Sequence, residues 1–410
     1  MTDLWHPFAD MAAVEASGEL VLTRGEGVHV WDEGGRRYLD ATAGLWFANV
    51  GHGRTAIADA VREQAASLAA YSTFGDLANR PAVELAARVA SLAPVPGSKV
   101  FFTSGGSDSV DTAVKLVRRY WAALGRPERR VIVVRDRAYH GMHLAGTSLS
   151  GIDDNRAGYG ALDADIVRVA WDEADDLARA IDALGADRVA AFFCEPVIGA
   201  GGVYAAGPGY LTASREVCAD RGVLFVADEV ITGFGRLGAW FASSRYGLEP
   251  DLLLCAKGIT SGYVPMGAVV VAPSVCAPFW SPEPGSGVLW RHGYTYSGHA
   301  VAAAAGLANL AIMAAEELPA RALGLEADLD AALEPLRALP AVAEVRAGTG
   351  VLAAVQLVDP AGVAPAILAL RAEGVLTRGI VGGSLQISPP LTITSDDLDE
   401  LAGALGRVLG

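Results

Sequence analysis

Lysine is almost missing from this chain. Of the 32 basic residues among 410, only Lys99, Lys115 and Lys257 are lysine, and arginine supplies the rest. Either residue serves where a surface charge suffices, but only an amine can lose its proton near neutrality and attack a carbonyl. Each surviving lysine is therefore a candidate for chemistry, with drift as the alternative origin. Cysteine is scarce too. Cys194, Cys218, Cys255 and Cys276 form no CxxC pair and no zinc-like spacing, which fits reduced packing residues of a cytoplasmic protein and no metal site. Basic residues are outnumbered by acidic ones, 32 to 47, for a net charge of −15. Such a surface repels nucleic acid and anionic membranes and favours solubility. Long apolar runs are absent as well. The stretch between Lys257 and Glu283 has no charge but is broken by Pro265, Pro273 and Pro278, and the Ala-rich segment 300–315 is short and carries Asn309. Neither reads as a membrane span. Asp3, His6 and Asp10 interrupt the first ten residues, so no secretory leader is expected there.

What is abundant is apolar core material, 52% of the chain, which excludes global disorder. The length implies two or three domains, or one large body with an appendage. Strands are expected at 100–103, 131–135, 189–194, 224–227, 252–255 and 268–272, with helical patterns between several of them. Val110, Ala113, Val114 and Val117 recur at helical spacing, for example. Near-continuous apolar strands alternating with helices imply an α/β protein with a mostly parallel sheet covered on both faces. Segments 20–22, 28–31 and 38–40 read as a small antiparallel meander. The last hundred residues mix helix with strands near 351–357 and 386–388, and close on a helix with Asp396, Asp397 and Asp399 in its first turn. The expected division is a large domain of residues 51–310 beside a smaller α+β domain built from 1–50 and 311–410.

In such sheets ligands collect at the carboxyl ends of the strands. There the sequence places Ser104-Gly105-Gly106-Ser107 before a helix, Glu195-Pro196, Asp228-Glu229 and Ala256-Lys257. The glycine turn can offer backbone N–H groups and a hydroxyl to a phosphate, or can simply start a helix, with Asp108 and Asp111 complementing the dipole. Asp228 can serve a ligand or cap a turn. A phosphate cradle, an acid and a lysine converging on one crevice would be a catalytic set.

The wording of these segments is more specific than their chemistry. The run Leu224-Phe225-Val226-Ala227-Asp228-Glu229-Val230-Ile231-Thr232-Gly233-Phe234-Gly235-Arg236 closely resembles the class III, or omega, aminotransferases. The likeness continues through Pro250-Asp251 to Ala256-Lys257-Gly258-Ile259. It is supported by Phe101-Phe102-Thr103, Tyr139-His140-Gly141, Glu195-Pro196 and Tyr294-Thr295-Tyr296-Ser297-Gly298-His299. It runs from His6-Pro7-Phe8 to Ser388-Pro389-Pro390, essentially the whole chain.

The resemblance implies a fold type I enzyme using pyridoxal 5′-phosphate, with a seven-stranded, mostly parallel sheet in the large domain. It implies transfer of an amino group from a primary amine or omega-amino acid to a 2-oxo acid, with pyruvate expected, by a ping-pong route through pyridoxamine phosphate. Lys257 takes the family's Schiff-base lysine position and Asp228 that of the partner to the pyridinium nitrogen. Gly105, Gly106 and Ser107 fall at the phosphate turn, with Thr295 contributed by the second subunit of a homodimer. Tyr139 and Val230 fall on the two faces of the ring, with His140, Glu195 and Ile231 nearby. Trp46, Phe8, Ala200 and Arg378 fall in the substrate pocket.

Read without the family, Trp46 is equally a core aromatic, Glu195 orients a ligand or caps its loop, and His140 and His52 are turn or packing histidines. Three departures from the family's pattern matter. The phosphate turn has one hydroxyl fewer than the Ser-Gly-Ser of relatives. Ile231 replaces a frequent glutamine. Ala200 stands where ornithine and GABA aminotransferases carry a glutamate that holds the substrate-binding arginine, which points to the omega-amino acid and amine:pyruvate branch. Arg378, in Thr377-Arg378-Gly379, matches that branch's mobile arginine, with a one-residue length difference after it. An aminomutase, racemase or decarboxylase of the same fold would share Lys257 and Asp228, and a non-catalytic dimeric scaffold would not need them.

Overall fold

The structure is a computed structural model describing residues 2–280, 283 and 285–410. Its centre is a sheet of seven strands: β1 (Lys99–Thr103), β2 (Val131–Arg135), β3 (Ile166–Val169), β4 (Val189–Cys194), β5 (Leu224–Asp228), β6 (Leu252–Cys255) and β7 (Gly267–Val271). Their spatial order is β1-β7-β6-β5-β4-β2-β3. The run β6-β5-β4-β2-β3 is parallel throughout, while β7 lies antiparallel to both β6 and β1. β2, β4, β5, β6 and β7 are buried at every position, as near-continuous apolar sequence demands of strands covered on both faces, with Arg135 and Asp228 the charged exceptions at strand ends. Each fully buried Val, Leu or Phe contributes about 1.5–3 kcal/mol of transfer free energy, so burial on both faces stabilises the sheet.

One strand escaped the periodicity. β3 is a half-exposed edge strand carrying Arg168, too short and too polar to stand out. The N-terminal meander is also shifted. Its strands are Leu22–Glu26, His29–Asp32 and Arg37–Asp40, so the expected first strand at 20–22 is corrected to one beginning where that segment ended. This strand is nearly all exposed and bulged between Leu22 and Arg24, and it therefore has no apolar face to read.

The two chain ends meet. Val375–Leu376 adds to the N-terminal meander in parallel, pairing Val375 with Leu39 and Leu376 with Asp40. A second small sheet orders Val342–Arg346, Ala353–Leu357, Ser384–Ile387 and Gly379–Ile380, all antiparallel. The last helix, Ser395–Leu409, begins at a capping box in which Thr394 and Asp397 satisfy each other's backbone N–H groups. Asp396 and Asp397 lie in its first turn, with Asp399 just beyond.

The alanine-rich segment is the helix Ala300–Ala315, packed on the helices Thr55–Leu68 and Arg80–Leu92. Its small residues permit close approach: a Cβ on Gly306 would meet Leu85 at 2.9 Å. Among the described residues no single helix is long and apolar enough to cross a membrane. The four cysteines are buried and unpaired.

Candidate active site

A cavity of about 550 Å³ opens at the carboxyl ends of the central strands. Thirteen of the fifteen residues expected at the site line it: Phe8, Trp46, Gly106, Ser107, Tyr139, His140, Glu195, Ala200, Asp228, Val230, Ile231, Lys257 and Arg378. The other two are elsewhere. Gly105 sits one residue behind the wall as the N-cap, its carbonyl taken by Ser109 and Thr103. Thr295 is exposed and does not line its own chain's cavity.

The helix Gly106–Ala123 follows β1 and aims its first turn into the cavity. A Cβ on Gly106 would meet Val230 Cγ1 at 2.8 Å, so only glycine lets β5's following loop close against this turn. The Oγ of Ser107 accepts from the Met142 N–H at 3.1 Å, which leaves its own proton free to donate. A helix N-terminus with free N–H groups and a donating hydroxyl fits a phosphate. Asp111 is the sixth residue of this helix rather than in its first turn. There it accepts from the Gly146 N–H.

β5 ends at Asp228, whose neighbour Glu229 faces the opposite way. Glu229 is fully buried and accepts from the N–H groups of Ala242 and Ser243, closing a turn. Asp228 faces the cavity. Its Oδ1 accepts from the Val230 N–H at 3.1 Å and its Oδ2 from the His140 ring at 2.7 Å. Because the acceptor is a carboxylate, Nδ1 of His140 is the protonated nitrogen. His140 is itself 1% exposed. The packing role read for it from sequence is corrected to orienting Asp228, a contact spanning 88 residues that no local pattern reveals.

β6 leads into Lys257, which adopts a left-handed φ of 47°, a strained conformation for a residue with a Cβ. The loop is held in place by Asn309, whose buried amide donates to the carbonyls of Gly258 and Ile259 at 2.8 and 3.0 Å. Among the described residues Nζ of Lys257 has no hydrogen-bond partner; it sits 5.5 Å from the centroid of Trp46. Burial pulls its pKa down to about 8, against the opposing pull of Asp228 and Glu195. The neutral amine required for attack on an aldehyde is thus accessible near neutrality. Cofactor-free protein mixed with pyridoxal phosphate and quenched with borohydride should label Lys257 with a yield rising through pH 8, whereas an ordinary lysine titrates near about 10.4. A profile still climbing steeply at pH 10 would contradict this environment.

Glu195, after β4, is fully buried. It accepts from the N–H groups of Tyr139 at 2.9 Å and Gly199 at 3.0 Å, so it fixes the loop that carries Tyr139. Burial pushes its pKa upward, with the neighbouring Asp228 charge adding to the rise. Tyr139 is half-buried, and burial raises its phenol likewise.

The outer wall comes from the chain ends. Trp46 is 2% exposed and lies in a turn where Ala43, Gly44 and Trp46 all have positive φ. The Arg378 guanidinium rests 4.5 Å from its ring centroid, and burial lowers the arginine's pKa. Phe8 is 78% exposed and stands at the mouth. Sequence reasoning missed Leu45, Ile152, Asn155, Ile380 and Val381, which also line the cavity. Leu45 adjoins Trp46, and Ile380 and Val381 follow directly after Thr377-Arg378-Gly379. Ile152 and Asn155 sit in an irregular segment with no local signal.

Comparison with known proteins gives a consistent result. The family described as Aminotransferase class-III matches residues 11–409. The putrescine–pyruvate aminotransferase of Pseudomonas aeruginosa is 39% identical, over 96% of this chain and 91% of that protein. The omega-amino acid–pyruvate aminotransferase of Pseudomonas putida is 35% identical, over 95% and 91%. Among solved structures, an (S)-enantioselective omega-transaminase from Thermomicrobium roseum superposes with a TM-score of 0.94 at 39% identity, covering 98% of this chain and 95% of that one. An amine transaminase from an uncultivated Pseudomonas species, in its PLP-bound form, gives 0.94 at 36% identity, covering 100% and 98%.

Proposed function

The chain belongs to the class-III aminotransferases, and from that premise we propose that its cavity transfers an amino group from a primary amine or omega-amino acid to pyruvate. As a member of the family it uses pyridoxal 5′-phosphate. When bound, that cofactor supplies the carbonyl that carries the amino group and a ring that takes up the electrons left as the substrate Cα–H bond breaks. The protein's own residues do the rest. Lys257 would hold the cofactor through its amine and, as general base and acid, would move the proton of the substrate Cα. Asp228, steadied by His140 and the Val230 N–H, keeps an anion at the ring nitrogen. Gly106 and Ser107 would hold the phosphate, with the Gly105 carbonyl locking their turn, and Tyr139 and Val230 would hold the ring. Glu195 sets the Tyr139 loop. Ala200, Trp46 and Phe8 shape an apolar side of the substrate space, and Ile231 lies beside the cofactor's place. The observation carrying this reading is the convergence of Lys257, Asp228 and a helix N-terminus on one cavity at the strand ends.

The working unit we propose is a homodimer in the cytoplasm, in which Thr295 of the partner subunit completes the phosphate contacts. Its support is an exposed Thr295 outside its own cavity, beside the exposed ring of Tyr296. The division into residues 51–310 and a smaller domain of 1–50 with 311–410 belongs to the same reading, supported by the pairing of Leu39 with Val375. A donor screen against pyruvate and 2-oxoglutarate tests the function. Stoichiometric alanine and carbonyl product are expected, and isomerised or decarboxylated amine without amino transfer would overturn it.

Arg378 decides the substrate range. A ping-pong enzyme admits an amine and a carboxylate acceptor to one pocket in turn, and a buried carboxylate needs a charge-assisted partner. Arg378→Ala should slow the half-reaction with pyruvate or alanine by on the order of tenfold to a hundredfold, the loss of one charged contact. An amine without a carboxylate should suffer far less. Stopped-flow measurement of the two halves separates the cases, and equal losses would make Arg378 structural.

A further inference from the structure

The strand Ser384–Ile387 is buried at every position, yet it carries Gln386 at 0% exposure. A buried primary amide is costly unless its polar atoms find partners. Here both do. Oε1 accepts from Nε of Arg378 at 2.6 Å, and Nε2 donates to Oγ of Ser388 at 2.6 Å. The orientation is unambiguous, because a guanidinium only donates and the atom facing it must be the oxygen. Backbone bonds repeat the tie. The Gln386 N–H donates to the Arg378 carbonyl at 2.9 Å, and the Thr377 hydroxyl donates to the Gln386 carbonyl at 2.6 Å.

Gln386 therefore engages Nε of the guanidinium while Trp46 lies against it, 4.5 Å from centroid to Cζ. Among the described residues neither Nη of Arg378 has a hydrogen-bond partner. Those two nitrogens form the edge that engages a carboxylate bidentately. The holder is also uncharged. A carboxylate at this position would form an ion pair and cancel the charge that substrate must find, whereas an amide fixes the geometry and leaves the charge available.

We propose that Gln386 is a positioning residue that sets this cavity's selectivity for carboxylate-bearing substrates, by holding Arg378 through Nε with both Nη groups presented and its charge uncompensated. This rests on the reading of Arg378 as the carboxylate anchor.

The test uses holoenzyme and compares two half-reactions, pyruvate with the amino form and 1-phenylethylamine with the aldehyde form. Gln386→Met preserves size and removes the acceptor. It should weaken apparent pyruvate binding by about tenfold, as expected for losing a hydrogen bond to a charged group, with the maximal rate much less affected. The amine half-reaction should lose several-fold less. Gln386→Glu keeps shape and acceptor but adds the cancelling charge. It should weaken pyruvate by at least as much, and wild-type pyruvate binding in this variant would overturn the role given to neutrality. It also serves if the methionine variant fails to fold. In an Arg378→Ala background, Gln386→Met should add no further loss with pyruvate. Additive losses, or equal losses in both half-reactions, would show that Gln386 is only structural. If Arg378→Ala alone harms both halves equally, the anchor reading falls instead.

Discussion

Lys257→Ala is expected to cut turnover by at least about a hundredfold, the low end for removing a positioned acid–base group, and to end covalent attachment of the cofactor. The cavity offers no substitute. Lys99 lies at the start of β1, where its side chain borders a different pocket, and Lys115 reaches Nδ1 of His292 at 2.9 Å. Arg378 is within the cavity but cannot deprotonate at neutral pH. Cofactor should still be retained through the phosphate turn, because Gly106 and Ser107 are untouched by the change. Borohydride reduction and peptide mapping check the assignment: wild-type protein carries the label on the Lys257 peptide and the variant carries none. Label on Lys99 or Lys115 in wild-type protein would displace the site altogether.

Asp228→Asn should be nearly as damaging. The substitution keeps the shape of a side chain that is 4% exposed and packed between the His140 ring and the Val230 N–H. It removes the negative charge. Breaking a buried charge pair costs about 3–5 kcal/mol, on the order of a hundredfold or more in rate if the whole loss falls on the transition state. Without an anion beside it in a site shielded from water, the ring nitrogen should lose its proton at a lower pH. Spectrophotometric titration of bound cofactor reads that directly, alongside turnover. Near-normal activity in the asparagine variant would mean that another group protonates the ring.

Much of this molecule is legible in its amino-acid sequence. Six of the seven central strands follow from near-continuous apolar runs, because strands covered on both faces leave polar residues only at their ends, as with Arg135 and Asp228. The rule that ligands gather at strand ends put Gly106, Glu195, Asp228 and Lys257 in one place, and the family resemblance supplied their roles. Apart from that resemblance, nothing local separates Asp228 from Glu229. Adjacent acids at a strand end look alike until one is seen taking the N–H groups of Ala242 and Ser243 and the other the ring of His140.

What only the tertiary structure decided are contacts made across long stretches of chain. His140 to Asp228 spans 88 residues, and Asn309 to Gly258 spans 51. Trp46 meets Arg378 only because Val375–Leu376 joins the N-terminal meander beside Leu39 and Asp40. Propensity and periodicity act over a few residues, through backbone sterics and one-sided burial, so they fix the elements and their faces. Which two distant side chains share a hydrogen bond is set by how those elements pack, and neither side chain carries a local mark of its partner. Gln386 shows the limit: in sequence it is one polar residue in a short strand, and its bond to Arg378 exists only once two antiparallel segments lie in register.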